Sequence, residues 1–200
     1  QQKALLSIHH QETPGEREMF VEGSGPLIDF LRGTGQYNDW ISPRTSSLTA
    51  TLESLTPEQR LLLVHNTFLN AEDVLQSEAF HRLIFWCLCP KANLFIEGVL
   101  PDLPLLISSG LPVLLGTDSL ASNDRLSLLE EAAAVAEGFP EIPYERLLRS
   151  MTLEPARFFG WEDELGAIMK GKKPGINLIV SKNDSFIDNR WNGCTVRRLV

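Results

Sequence analysis

Cysteine is scarce, and positive charge falls short of negative. The chain of 200 residues holds three cysteines, Cys87, Cys89 and Cys194. An odd number without framework spacing excludes a disulfide-stapled scaffold and fits a reducing compartment, so a cytoplasmic setting is expected. Lys and Arg number 18 against 26 Asp and Glu, a formal charge of −8. No basic face is available to hold a phosphate backbone, and no nucleic-acid partner is expected. The longest apolar runs, such as Leu61–Val64 and Leu83–Leu88, fall far short of the ~20 residues a spanning helix needs, so no membrane segment is expected. No G-x-G-x-x-G follows a strand pattern and no G-x-x-x-x-G-K-[ST] occurs, which removes the loops on which dinucleotide and P-loop folds depend. Nor is there an initiator Met, a basic n-region or a signal-peptide core. Gln1-Gln2-Lys3 runs directly into apolar Ala4–Ile8, and the expectation is that an N-terminal portion precedes this sequence.

What remains is an ordinary globular composition, 43% hydrophobic and 22% charged. Short apolar runs at Ala4–Ile8, Leu61–Val64, Leu83–Leu88 and Val113–Leu115 read as buried strands. Helical patterns separate them. Glu16–Phe20, Pro26–Leu31 and Ser47–Leu55 lie between the first two, with Ser46 or Ser47 as N-cap. Thr56-Pro57-Glu58 is a further helix-start signal. Glu72–Ala79 follows a capping Asn70, Pro101–Ser109 ends at Gly110, and Leu126–Glu137 stops at Gly138. Two more helices, Pro143–Ser150 and Glu154–Phe159, precede a tail with strand patterns at Asn177–Ser181 and Cys194–Leu199. Apolar strands alternating with helices predict a parallel sheet covered on its faces. Four such repeats make half a (β/α)₈ barrel or a small doubly wound sheet.

The polar residues fall at the C-terminal ends of these strands, where parallel β/α folds place their sites. The first strand ends in His9, His10 and then Glu12, the second in His65, the third in Cys89 with Asn93 beyond, and the fourth in Asp118 and Ser119. Taken singly each has a plain structural role. A histidine at a strand end can be a hydrogen-bonded core residue, Asp118 can cap the next helix, and Cys87 and Cys89 share one strand face and suit packing. His81, after a helix, fits an interaction with that helix's C-terminus. Together, imidazoles and carboxylates at successive strand ends suit a divalent metal or acid–base chemistry.

These residues also carry a resemblance. His9-His10-Gln11-Glu12-Thr13 resembles the H-x-x-E-T segment after barrel strand five of the amidohydrolase superfamily, and Val64-His65-Asn66 resembles its strand-six histidine. Cys89-Pro90-Lys91-Ala92-Asn93 resembles the strand-seven C-P-x-x-N segment. Gly116-Thr117-Asp118-Ser119-Leu120-Ala121-Ser122-Asn123 resembles the strand-eight G-T-D-S-x-x-S-N segment, the most specific of the set. Thr152 through Gly160, then Leu165-Gly166 and Lys170-Gly171-Lys172, follow the family's closing segments. The nearest branch is that of the metal-dependent deaminases and chlorohydrolases. Two departures stand out. The family's first-strand H-x-H is absent, and its G-K-x-A-D-L segment reads Lys172-Lys173-Pro174-Gly175-Ile176-Asn177-Leu178.

The resemblance implies an α/β fold. Residues 1–160 would form the C-terminal half, strands five to eight, of a (β/α)₈ TIM-type barrel with its C-terminal helices. Residues 161–200 would form part of a small β-sandwich. It implies one divalent metal, Zn or Fe, bound by His9 and Asp118 together with histidines missing here. Asp118 would take the proton of the metal-activated water, Glu12 would protonate a substrate ring nitrogen and the departing ammonia, and His65 would hydrogen-bond the attacking hydroxide. His10, on the opposite side of the strand from His9, is read as packing, and Asn93 and Ser119 as orienting residues. The expected activity is hydrolytic deamination of a small aminated heterocycle. Dechlorination or amide cleavage on the same scaffold is the alternative, as is a non-catalytic half-barrel. With two metal ligands of its own, this chain alone is expected to be inactive, and to be completed by an N-terminal half or by homo-oligomerisation.

Overall fold

The computed structural model describes residues 5–38, 41–56, 59–80, 83–181 and 193–200. The signals at Pro57-Glu58 and at His81 lie outside the described residues. Four strands, β1 Leu5–His10, β2 Arg60–His65, β3 Ile84–Leu88 and β4 Val113–Leu115, form one sheet in chain order, every pairing parallel. Parallel neighbours require a crossover, and each crossover here is helical. The first holds α1 Pro14–Arg17, a wide π-type turn at Glu18–Glu22, α2 Pro26–Gly33 and α3 Ser47–Glu53. The second holds α4 Ala71–Phe80, and the third holds α5 Pro90–Ile96 and α6 Leu103–Ser108. After β4 come α7 Leu128–Gly138, α8 Tyr144–Met151 and α9 Leu153–Phe159, then an antiparallel pair, β5 Asn177–Val180 with β6 Thr195–Arg198.

Local chemistry explains the helix starts. Ser46 Oγ accepts from the Thr49 N–H, Asn70 Oδ1 from Glu72 and Asp73, and Asp102 Oδ1 from Leu105, each satisfying an N–H that the first turn leaves without a partner. The stretch expected as a helix over Glu16–Phe20 instead splits. Four residues are α-helical, and the next turn widens before Gly23, whose left-handed φ of 68° returns its N–H to the carbonyls of Glu18 and Met19. Helix α5 was not foreseen from periodicity. It starts with Pro90 in the first turn, where a missing N–H costs nothing and the fixed φ helps.

The sheet has two unlike faces. Register aligns Leu6 and Ile8 of β1 with Leu61 and Leu63, then with Ile84, Trp86 and Leu88, then with Val113 and Leu115. This face packs against helix residues Leu48, Leu52, Leu103, Leu106, Leu129, Ala132 and Leu147 as the main core. The other face carries Leu62, Val64, Phe85, Cys87, Cys89 and Leu114 with Ala92 and Phe158. On β1 this second face shows Leu5, Ser7 and His9, all exposed. β3 is buried along its whole length, as expected of a strand flanked on both sides and covered on both faces. Ile179 of β5 and Cys194, just ahead of β6, pack against the main core.

Candidate metal centre

Four strand ends meet on one side of the sheet. One donor atom each of His9, His65 and Asp118 lies within 4.8 Å of the others. The rings of His9 and His65 meet edge to face with centroids 4.9 Å apart. Glu12 Oε1 stands 3.5 Å from His65 Nε2. His9 and Asp118, singled out in the sequence as a ligand pair, thus sit together. His65 joins their cluster, and Glu12 borders it.

Strand alternation alone would not build this cluster. Register sets the Cα of His65 beside that of His10, not His9. His65 has φ 77° and Asn66 φ 56°, and this left-handed step breaks the alternation at the end of β2. The His65 ring therefore joins His9, while His10 remains with the core. Gln11 at φ 46° and Asp118 at φ 53° are left-handed as well. Non-glycine residues rarely adopt this conformation, and where they cluster a site is the usual reason.

Hydrogen bonds set the donor atoms. His65 is fully buried, and its Nδ1–H reaches Asn93 Oδ1 at 3.5 Å. The Asn93 amide in turn donates to Thr67 Oγ1. With Nδ1 carrying the proton, Nε2 presents a lone pair, and that atom is buried without a hydrogen-bond partner among the described residues. Asp118 Oδ2 accepts from Ser122 Oγ, so its second oxygen remains for a ligand. Two imidazoles, one of them with an orphaned nitrogen, and a carboxylate are a donor set that suits a borderline divalent cation.

His10 belongs to a separate, buried network. Its Nδ1–H donates to Asn66 Oδ1 at 3.0 Å and its Nε2 accepts from Ser47 Oγ at 3.3 Å. Asn66 Nδ2 donates on to the Leu63 carbonyl at 2.8 Å. Burial pushes the His10 pKa below its ordinary value, and the ring is neutral. The Cys89 thiol is pushed far up by its hydrogen bond with Cys87 and by burial. Ser119 Oγ accepts from the Ala121 N–H at 3.2 Å, a turn contact within its own loop.

Sequence reasoning missed Thr67, Ser47 and Glu131. The last is an acid on the buried side of α7, flanked by Leu129, Ala132 and Ala133; a charge interrupting an apolar helix face was the available signal.

Known proteins resemble this chain in sequence and in fold. The sequence profile of the amidohydrolase family matches residues 1–200. An aminodeoxyfutalosine deaminase of Nitratiruptor is 30% identical over 184 residues, which cover 88% of this chain and 42% of the relative. A 5-methylthioadenosine/S-adenosylhomocysteine deaminase of Teredinibacter turnerae is 28% identical over 190 residues, 90% of this chain and 38% of that one. The fold of Helicobacter pylori aminofutalosine deaminase superimposes with a TM-score of 0.82 at 22% identity over 98% of this chain and 52% of that one. An adenosine deaminase of Xanthomonas campestris, solved with bound zinc, gives 0.60 at 25% identity over 84% of this chain and 35% of its own. The chain thus spans about half, or less, of the proteins it matches. With the family profile covering its whole length, the chain belongs to the amidohydrolase family.

Proposed function

We propose that the chain supplies strands five to eight of a (β/α)₈ barrel that deaminates an aminated heterocycle by hydrolysis. The observation that carries this reading is the convergence of His9, His65 and Asp118 within 4.8 Å, with Glu12 Oε1 3.5 Å from His65 Nε2. Residues 1–160 make the half-barrel and its following helices, and 161–200 contribute to a small β-sandwich. The open sides of β1 and β4 in the sheet order β1-β2-β3-β4 are where an N-terminal half, or a second copy, completes the barrel. Relatives named as deaminases of 5-methylthioadenosine and aminodeoxyfutalosine favour an aminopurine nucleoside as the substrate.

His9 and Asp118 would hold one divalent metal, zinc or iron, with His65 in reach. The metal would supply a water whose pKa falls from about 15.7 toward about 7. Asp118 would take a proton from the water delivered to the carbon that bears the amino group. His65 Nε2, unprotonated and facing the site, accepts a hydrogen bond from the attacking hydroxyl and holds it in line. Glu12 would give its proton to the adjacent ring nitrogen and take one back from the added hydroxyl as that becomes the carbonyl, while Asp118 would pass the water's proton to the amino group, so a C–O bond forms, the C–N bond breaks and ammonia leaves. Buried, neutral His10 takes no part in proton transfer; it packs behind the site. Asn93 fixes the His65 tautomer through the Nδ1–H contact.

The same residues would serve dechlorination or amide cleavage, and the leaving group decides among them. The test offers the complete protein an aminopurine nucleoside, a chlorinated heterocycle and a cyclic amide, and measures ammonia, chloride and ring opening. Ammonia from the aminopurine is expected. Chloride or ring opening alone would move the reading to the other hydrolases. No product from any of the three would favour a non-catalytic scaffold.

A further inference from the structure

We infer that Glu131 is a positioning residue that ties the loop carrying Asp118 to the first turn of α5, just after β3, and so sets where the Asp118 carboxylate stands. The inference rests on the metal-hydrolase reading above for its consequence in turnover, and on geometry alone for the tie itself. Helix α7 buries Leu129, Ala132, Ala133, Val135 and Ala136, and Glu131 lies among them with no exposed surface. A carboxylate in such surroundings is tolerated only when its oxygens are satisfied. Both are. Oε2 accepts from the backbone N–H of Lys91 at 2.8 Å, and Oε1 accepts from Asn123 Nδ2 at 2.6 Å. The same Asn123 amide donates to the Thr117 carbonyl at 2.9 Å, one residue before Asp118.

The loop after β4 and the start of α5 are thereby joined through one side chain. Lys91 is the second residue of α5, two residues ahead of Asn93, the partner of His65. Thr117 follows Gly116 in the loop after β4, whose Asp118 is left-handed at φ 53° and needs outside contacts to stay there. Ser122 holds Asp118 Oδ2 from within that loop; from outside it, Glu131 anchors Asn123 and the Leu88 carbonyl holds the Gly116 N–H. Glutamine cannot replace it. Both partners are N–H donors, so one end of a Gln amide would set donor against donor.

The test compares wild type, Glu131→Gln and Asn123→Ala of the complete protein. Amide hydrogen exchange of residues 116–123 reads the tie directly, and metal competition with a chelator and the split of kcat from KM read its consequence. In the folded variants the 116–123 amides should exchange at least tenfold faster, with metal affinity and kcat falling about 10–100-fold and KM nearly unchanged. A folded Glu131→Gln with unchanged exchange and unchanged metal affinity would overturn the inference. Where Glu131→Gln does not fold, Asn123→Ala decides by the same two readouts. A wild type without metal or turnover, whose loop still loosens in Glu131→Gln, would defeat the functional reading and leave the tie standing.

Discussion

Two adjacent histidines at the end of β1 have opposite fates. His9 is exposed on the open face and His10 is 1% exposed beneath it. The sequence shows this much, because a strand points successive side chains to opposite faces. The burial of His10 has a thermodynamic consequence. Its folded pKa lies below the ordinary 6.5, chiefly through desolvation. As pH falls through about 6.5 the unfolded chain takes up a proton that the folded chain refuses, so stability is full above that pH and declines below it. The urea midpoint should therefore fall between pH 7 and pH 5, and His10→Gln should flatten that decline at the cost of a lower midpoint at pH 7. An identical pH slope in the variant would contradict the assignment. His65 was less legible. Its type and place at a strand end were plain, but alternation would seat it with His10. Only the left-handed backbone at His65 and Asn66 sends it to His9, and backbone sign is not written in residue type except at glycine.

Helix α4 and strand β2 could be outlined from the sequence because each carries its own punctuation, a capping Asn70 or a polar residue closing an apolar run. The turn at Glu18–Glu22 could not, since Ser42 and Arg44 reach back to the carbonyls of Phe20 and Glu22, and neither could helix α5, whose seven residues from Pro90 are too few to show a period. Close approach between elements is similarly hidden. Gly116 follows β4 directly, and a Cβ there would lie 2.9 Å from Cys87 Sγ and 3.3 Å from Cys89 Sγ. The backbone bond from Gly116 N–H to the Leu88 carbonyl at 2.8 Å draws the ends of β3 and β4 to this spacing. Gly116→Ala should destabilise by about 1–3 kcal/mol as an overpacked core site. Adding Cys87→Ala, which removes the nearest sulfur, should recover part of that loss. Chemical denaturation of the two variants checks it: a neutral Gly116→Ala, or a double variant no better than the single, would show that the contact relaxes freely. The paired thiols, noticed in the sequence for their spacing, thus act as a wall against which the Asp118 loop is set.

Across the whole molecule, the unlike faces of the sheet carry the argument. One is sealed by helices, while the other exposes Leu5, Ser7 and His9 on β1 and gathers the site at its rim. Completion of the barrel would cover this face and bring further donors to the rim beside His9, His65 and Asp118. Among the described residues no helix is long and apolar enough to cross a membrane. The central claim is that Asp118 serves both the metal and the reaction while Glu12 moves protons only. It is tested most directly by metal content after dialysis, read together with ammonia release, in the complete protein and its Asp118→Asn and Glu12→Gln variants. The account predicts about one zinc or iron per chain in wild type, loss of both metal and turnover in Asp118→Asn, and retained metal with turnover lowered at least 100-fold in Glu12→Gln. Metal lost equally from both variants, or full turnover in either, would contradict it.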